Sequence, residues 1–282
     1  MTSALQPVAP VGPSGNRTTR RDTPSTTSTL TGPVVDATTV GDGQGTARGV
    51  AQVRLARTAG LLYLVMAVFG AFAQVIRVRV YAPGDPATTA ANLVANASLV
   101  RLSFVADLLQ NLVWLCLALV LHRLLAHAGR YLARAMVMFI VVSVAIACLN
   151  MVHQLAALLV ATTPAYATAF GPVGSEGVAL LLMDLHHYGY LVAQLSWFWL
   201  FALGLLGYRS GLFPRPLAIV VMLSTVWYLT DALLQFLAPS LAQASALVFV
   251  GPETLSEVSL LLYLLIKGVR TSAPTRSEPA PV

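Results

Sequence analysis

Residues 135–160 read AMVMFIVVSVAIACLNMVHQLAALLV, a run without a single Asp, Glu, Lys or Arg. A helix needs about 20 residues to cross a hydrocarbon core about 30 Å thick, and this run exceeds that length. Five more apolar segments accompany it, at about 58–76, 102–121, 178–206, 217–237 and 250–267. The last is marginal, because a helix from Pro252 to Lys267 covers only about 24 Å at about 1.5 Å per residue. It is therefore expected to recruit residues before Pro252 through a kink, which neighbouring helices in lipid can tolerate. The fourth is long enough to be tilted, or to begin as a separate short helix before His186.

Composition agrees with these lengths. The 282 residues are 57% hydrophobic and 10% charged, against about 45–50% and about 25% in soluble domains. So little charge cannot cover the apolar surface, so a soluble globular fold is excluded and an all-α membrane bundle of six transmembrane helices is expected. Cys116 and Cys148, the two cysteines, lie inside apolar runs and read as small buried hydrophobes rather than a disulfide or metal pair. The net charge of +6 comes mostly from Arg at the ends of apolar runs. No basic helix face or aromatic–basic interleaving accompanies it, which excludes nucleic acid as a partner and leaves the lipid bilayer.

Residues 1–50 are rich in Thr, Ser, Pro and Gly, cannot bury enough surface to offset their ordering entropy, and read as a disordered tail. Residues 271–282 read the same way, leaving 51–270 as the transmembrane domain. Arg17, Arg20 and Arg21 are followed by polar residues, so no signal peptide is expected there. Arg48, Arg54 and Arg57 precede the first span, Arg123, Arg130 and Arg134 fill the second connection, Arg209 and Arg215 the fourth, and Lys267 and Arg270 follow the last. The third and fifth connections have no Lys or Arg. The positive-inside bias predicts a multi-pass cell-membrane protein with both termini cytoplasmic. Arg77, Arg79 and Arg101 in the first external loop run against that bias. They are expected either to pair with buried acids or to form an anion-attracting surface.

With alternating span direction, the polar residues fall in one layer toward the external side. Asp107, Gln110 and Asn111 come early in span 2, Asn150, His153 and Gln154 late in span 3. Asp184, His186 and His187 come early in span 4, Asp231 and Gln235 late in span 5, and Glu253 and Glu257 early in span 6. Asp107 and Asn111, Asn150 and Gln154, Asp231 and Gln235, and Glu253 and Glu257 stand four apart, Asp184 and His187 three apart, so each pair shares one helix face. A polar face turned to lipid is costly, so these faces should meet, forming a polar pocket in the outer half above an apolar plug.

Asn150, Gln154, Gln110, Asn111 and Gln235 read as interhelical hydrogen-bond partners, each bond worth about 0.6–2 kcal/mol. Glu253 reads as a solvated residue at headgroup depth, and Trp197, Trp199, Tyr208 and Trp227 as packing or belt residues. Asp107, Asp184, Asp231 and Glu257 cannot all stay charged and unpaired in one bundle. They must be protonated, paired, bound to a cation or wetted by a cavity. The candidate ligand or ion pocket is Asp107, His153, Asp184, His186, Asp231 and Glu257. His153, Asp184, His186 and His187 are of metal-ligating type but lack a metal-site spacing. Ser103, Ser196 and Ser259 lack the Gly-flanked elbow of a nucleophile. No cofactor signature is present.

From about residue 56 to 270 the chain resembles the bacterial membrane family catalogued as domain of unknown function 4386. The resemblance rests on Ala56-Arg57-Thr58-Ala59-Gly60-Leu61-Leu62-Tyr63-Leu64, on Pro83-Gly84-Asp85, and on Leu99-Val100-Arg101 leading to Asp107. Its most distinctive stretch is Asp184-Leu185-His186-His187-Tyr188-Gly189-Tyr190, followed by Gly207-Tyr208-Arg209-Ser210-Gly211-Leu212-Phe213-Pro214, Tyr228-Leu229-Thr230-Asp231 and Glu257. The resemblance implies a small polytopic protein and no particular reaction. Three functions remain in view: a binding or transport-type bundle, a metal-dependent intramembrane hydrolase acting on a lipid-like substrate, and a non-catalytic structural membrane partner.

Overall fold

A computed structural model describes residues 37–270, apart from Leu195. The tail read at 271–282, and all but the end of the one read at 1–50, lie outside these residues. Helix α1 (Ala37–Val80) carries the first span, Gly49–Val80. The short α2 (Pro86–Ala95) leads into α3 (Ala97–Leu125), and a single 3-10 turn leads into α4 (Arg130–Thr162). The short α5 (Pro164–Phe170) precedes α6 (Pro172–Gln194) and α7 (Phe198–Ser210), which together make one span. The last two spans lie in α8 (Arg215–Leu237) and α9 (Pro239–Leu262). Six helices are thus long and apolar enough to cross a membrane, no strand occurs among the described residues, and the chain is a multi-pass helical membrane protein. Leu61, Val68, Leu119, Leu149 and Val226 point outward, more than half exposed, and form the surface that lipid covers.

Helix α9 runs through Pro252 without interruption, so the sixth span does extend upstream of that proline. The fourth span breaks, but not before His186. Helix α6 is continuous through His186 and stops at Gln194, and the chain crosses to α7 with Ser196 N–H donating to the Ala193 carbonyl and Trp197 N–H to the Gln194 carbonyl. These i to i−3 bonds tighten the turn and leave some α-helical partners unmade. The break needs neither Pro nor Gly, which is why its position is not readable from the residues. Cys116 is exposed on the outer face of α3, opposite buried Trp114 and Ala118, and does not belong to the core as expected. Cys148 is half-buried.

Apolar packing concentrates at the two ends of the bundle. One cluster, including Ala59, Leu121, Leu125, Ile140, Leu203 and Leu264, sits at the end where span 1 begins and span 6 finishes. A smaller one, including Ile76, Val80, Leu93, Val100, Leu158 and Met183, fills the distal end. Lipid is as apolar as Leu, so close backbone approach matters more here than in water. Gly60 provides it: a Cβ at this position would lie 2.6 Å from the Leu265 backbone nitrogen. Leu265 belongs to a π-turn, Tyr263–Lys267, which ends at Gly268. Tyr263 Oη and the Arg270 N–H both donate to the Leu212 carbonyl, at 2.7 and 3.1 Å, tying the end of span 6 to the corner between α7 and α8.

At the distal end, Asp85 caps α2. Its Oδ2 accepts from the Thr88 hydroxyl at 2.6 Å and its Oδ1 from the Thr88 N–H at 3.0 Å. The hydroxyl and then the N–H hold its carboxyl below the usual Asp value. A lowered folded value means that the cap's stabilisation is complete above the unfolded pKa of about 3.9 and is lost as pH falls through the folded one. Hydrogen exchange at Thr88, corrected for intrinsic rate, is expected to accelerate below about pH 4. Asp85→Asn should remove that pH dependence, and an identical pH profile in the variant would refute the cap.

Candidate functional site

A cavity of about 510 Å³ lies between the spans, within the distal half. Its floor is the edge of the larger apolar cluster, where Tyr63, Trp114, Trp199 and Tyr228 face it. One stripe of α1 forms a wall: Tyr63, Met66, Gly70, Gln74 and Arg77 follow 3, 4, 4, 3 spacing and all line the cavity. Asp107, Gln110 and Asn111 on α3, Asn150 on α4, His186 and Gln194 on α6, and Glu253 and Glu257 on α9 complete it.

Arg77 Nη1 donates to Asp107 Oδ2 at 2.6 Å, the single salt bridge among the described residues, with the side chains only 15% and 8% exposed. Arg77 Nε donates to Gln74 Oε1 at 3.1 Å. Of the two possibilities open for the first loop's arginines, Arg77 takes the buried-acid pairing. Its helix continues past the apolar segment to Val80 and turns it inward.

On the far wall, Tyr228 Oη donates to Glu257 Oε1 at 2.8 Å. Glu253, expected in the solvated headgroup layer, instead lines the cavity with a buried Oε1 that has no partner. The Tyr63 hydroxyl, the Trp114 and Trp199 indole N–H groups, the Ser143 hydroxyl and the Gln194 carbonyl oxygen are likewise buried without partners, and all five residues line the same cavity. Most buried polar groups in folded proteins have partners, so these groups together give the cavity a polar lining with free hydrogen-bonding capacity.

Asn150 organises the α4–α6 side. Its Nδ2 donates to the His186 carbonyl at 2.7 Å, and His186 Nδ1 lies 3.1 Å from the Asn150 carbonyl. A carbonyl only accepts, so Nδ1 carries a hydrogen in this contact. His153 Nδ1 is 3.2 Å from Asn150 Oδ1, which also only accepts. A Cβ on Gly189 would overlap the Asn150 side chain, so that glycine makes room for the bridge. Gln154 Nε2 donates to Ser103 Oγ at 3.1 Å, linking α4 to α3 as an interhelical bond of the expected kind.

The structure divides the six candidate residues. Asp107, His186 and Glu257 line the cavity; His153 stands behind Asn150. Asp184 accepts from Tyr81 Oη at 2.6 Å, and Asp231 accepts from Gln235 Nε2 at 2.8 Å on its own helix; neither lines the cavity. Tyr81, just past span 1, has its hydroxyl pKa pushed up by burial first and by the Asp184 carboxylate second, which keeps it a donor. Among the described residues no group of three His, Cys, Asp or Glu could hold one metal ion, so His153, Asp184, His186 and His187 do not form a ligand set. Cavity-lining residues outside the six-residue candidate set include Arg77, expected only as a possible partner for buried acids, Glu253, and the aromatic lining with Trp197 and Trp199 at the helix break.

Comparison with curated proteins and with solved structures yields no match. Residues 58–268 match the family described as domain of unknown function, DUF4386, and the chain belongs to that family.

Proposed function

We propose that the protein is a binding or transport-type bundle of the cell membrane whose distal cavity takes up protons or cations, with Glu257 as the central acceptor, Asp107 held by Arg77, and His186 at the wall. The observation that carries this reading is an excess of acid over base. Three carboxyl groups line the cavity, Asp107, Glu253 and Glu257, while its one guanidinium, Arg77, already serves Asp107. Carboxylates in a membrane interior must gain a proton, a cation or water, and their presence there is a functional signature. The break in span 4 adds support, because irregular backbone at membrane depth is tolerated where it lines a cavity. The arginine-rich connections favour cytoplasmic termini by the positive-inside bias, and with that orientation the distal cavity faces outward.

Purified protein in phosphatidylcholine–phosphatidylglycerol vesicles with an internal pH dye is expected to dissipate an imposed pH gradient faster than empty vesicles. Glu257→Gln should lower the protein-dependent rate at least tenfold while circular dichroism shows an intact helical fold. A rate equal to that of empty vesicles, or an unchanged rate in the folded Glu257→Gln protein, overturns the reading.

A further inference from the structure

We infer that the cavity takes an organic ammonium compound with an apolar body, which reaches it from the bilayer between α1 and α9; the inference deepens the proposed cation site and rests on it. A transition metal such as Zn²⁺ needs about four N, S or O ligands, His, Cys, Asp or Glu among them, converging on one point. No such His, Cys, Asp or Glu group exists among the described residues. What the cavity offers instead is carboxylate joined to aromatic surface. Glu257 accepts from Tyr228 at 2.8 Å, and the Tyr228 ring meets Trp197 edge-on with centroids 3.9 Å apart. On the floor, Trp114 and Trp199 meet at 5.9 Å in a second T-shaped pair. An alkylated ammonium makes few hydrogen bonds, is attracted to aromatic faces, and takes its counter-charge from a nearby carboxylate.

Size and access fit the same class. About 510 Å³ lies within the range of roughly 300–1,000 Å³ for small-molecule sites. Ala67 and Ala71 on α1 and Thr254 on α9 line the cavity and are exposed, and none of these three side chains is large. The helices close on each other at the other end, where Gly60 meets the Leu264 and Leu265 backbone. Small side chains that both line the cavity and are exposed offer a molecule already partitioned into lipid its least obstructed way in. The unpartnered indole N–H groups of Trp114 and Trp199 and the Tyr63 hydroxyl then stand ready for an acceptor on the ligand, such as a hydroxyl or carbonyl oxygen.

Three of the four tryptophans line the cavity, so their fluorescence reports occupancy. Full-length protein in lipid nanodiscs titrated with tetrapropylammonium is expected to show a saturable change that Na⁺ at equal concentration does not produce. Affinity should fall at least tenfold in Glu257→Gln and in Trp197→Leu, and stay within threefold of the parent in Trp197→Phe, which keeps an aromatic face and controls for folding. No saturable response from a protein that still shows Glu257-dependent proton flux overturns the ligand class alone. An equal response to Na⁺, or equal loss in Trp197→Phe and Trp197→Leu, overturns it as well. Absence of both the fluorescence response and the proton flux overturns the cation site itself.

Discussion

Asp107→Ala is expected to destabilise the bundle by about 3–5 kcal/mol, because it leaves the Arg77 guanidinium inside the helix bundle without its counter-charge. The pair is short, at 2.6 Å, and its side chains are 15% and 8% exposed, so the guanidinium left behind keeps little contact with bulk water. Gln74 still accepts from Arg77 Nε, but a neutral amide offsets little of a full charge. Exchanging both partners for apolar residues of similar volume, Arg77→Met with Asp107→Leu, should recover most of the loss, since a buried pair contributes little beyond a hydrophobic substitute. Denaturant titration of Arg77→Met, Asp107→Leu and the double variant in mixed micelles measures the coupling. If Asp107→Ala costs under about 1 kcal/mol, the pair behaves as a solvated one and its weight in holding the bundle together is refuted.

The second large effect is expected at Gly60. A Cβ there would lie 2.6 Å from the Leu265 backbone nitrogen, 2.8 Å from its Cα and 2.9 Å from the Leu264 carbonyl carbon. Real Cβ atoms do not sit so close, and the obstacle is backbone rather than the movable end of a side chain. Gly60→Ala should therefore cost about 1–3 kcal/mol and Gly60→Val more, as overpacked sites do, by forcing α1 away from the π-turn. Gly177 provides the control, because a Cβ there meets nothing within 4 Å. Comparable unfolding midpoints for Gly60→Val and Gly177→Ala would show that the first and last spans are not in backbone contact.

Much of the fold is legible because bilayer thickness sets a length that apolar runs either meet or do not. The run at 135–160 meets it unaided, and Pro252 is harmless because α9 simply continues through it. The layer of polar residues is legible for a similar reason: a polar group facing lipid is costly, so Asp107, Asn111, Asn150 and Gln154 all turn inward, each at most 6% exposed. What depth cannot reveal is azimuth. Asp184 and Asp231 share the layer with Glu257, yet they are satisfied by Tyr81 and Gln235 outside the cavity lining. Arg77 looks like a loop residue because the apolar run ends at Ile76, one residue earlier. The stripe Tyr63–Met66–Gly70–Gln74–Arg77 does carry the helical period, but its mixed chemistry hides it from a hydrophobicity count. Trp197 and Trp199 look like belt residues because nothing in Leu-Ser-Trp-Phe-Trp announces a break at mid-span.

The pairing of Arg77 with Asp107 also has a meaning in time. The two residues are 30 positions apart, on consecutive spans. Chains emerge from the ribosome N-terminus first, at about 5–20 residues per second. The carboxylate that neutralises Arg77 is therefore synthesised seconds after it, while the residues that complete the far wall, Glu253 and Glu257, do not yet exist. The first helical hairpin can leave the translocon already neutral across its seam, and the acids that remain uncompensated are those delivered by the last helix to be inserted.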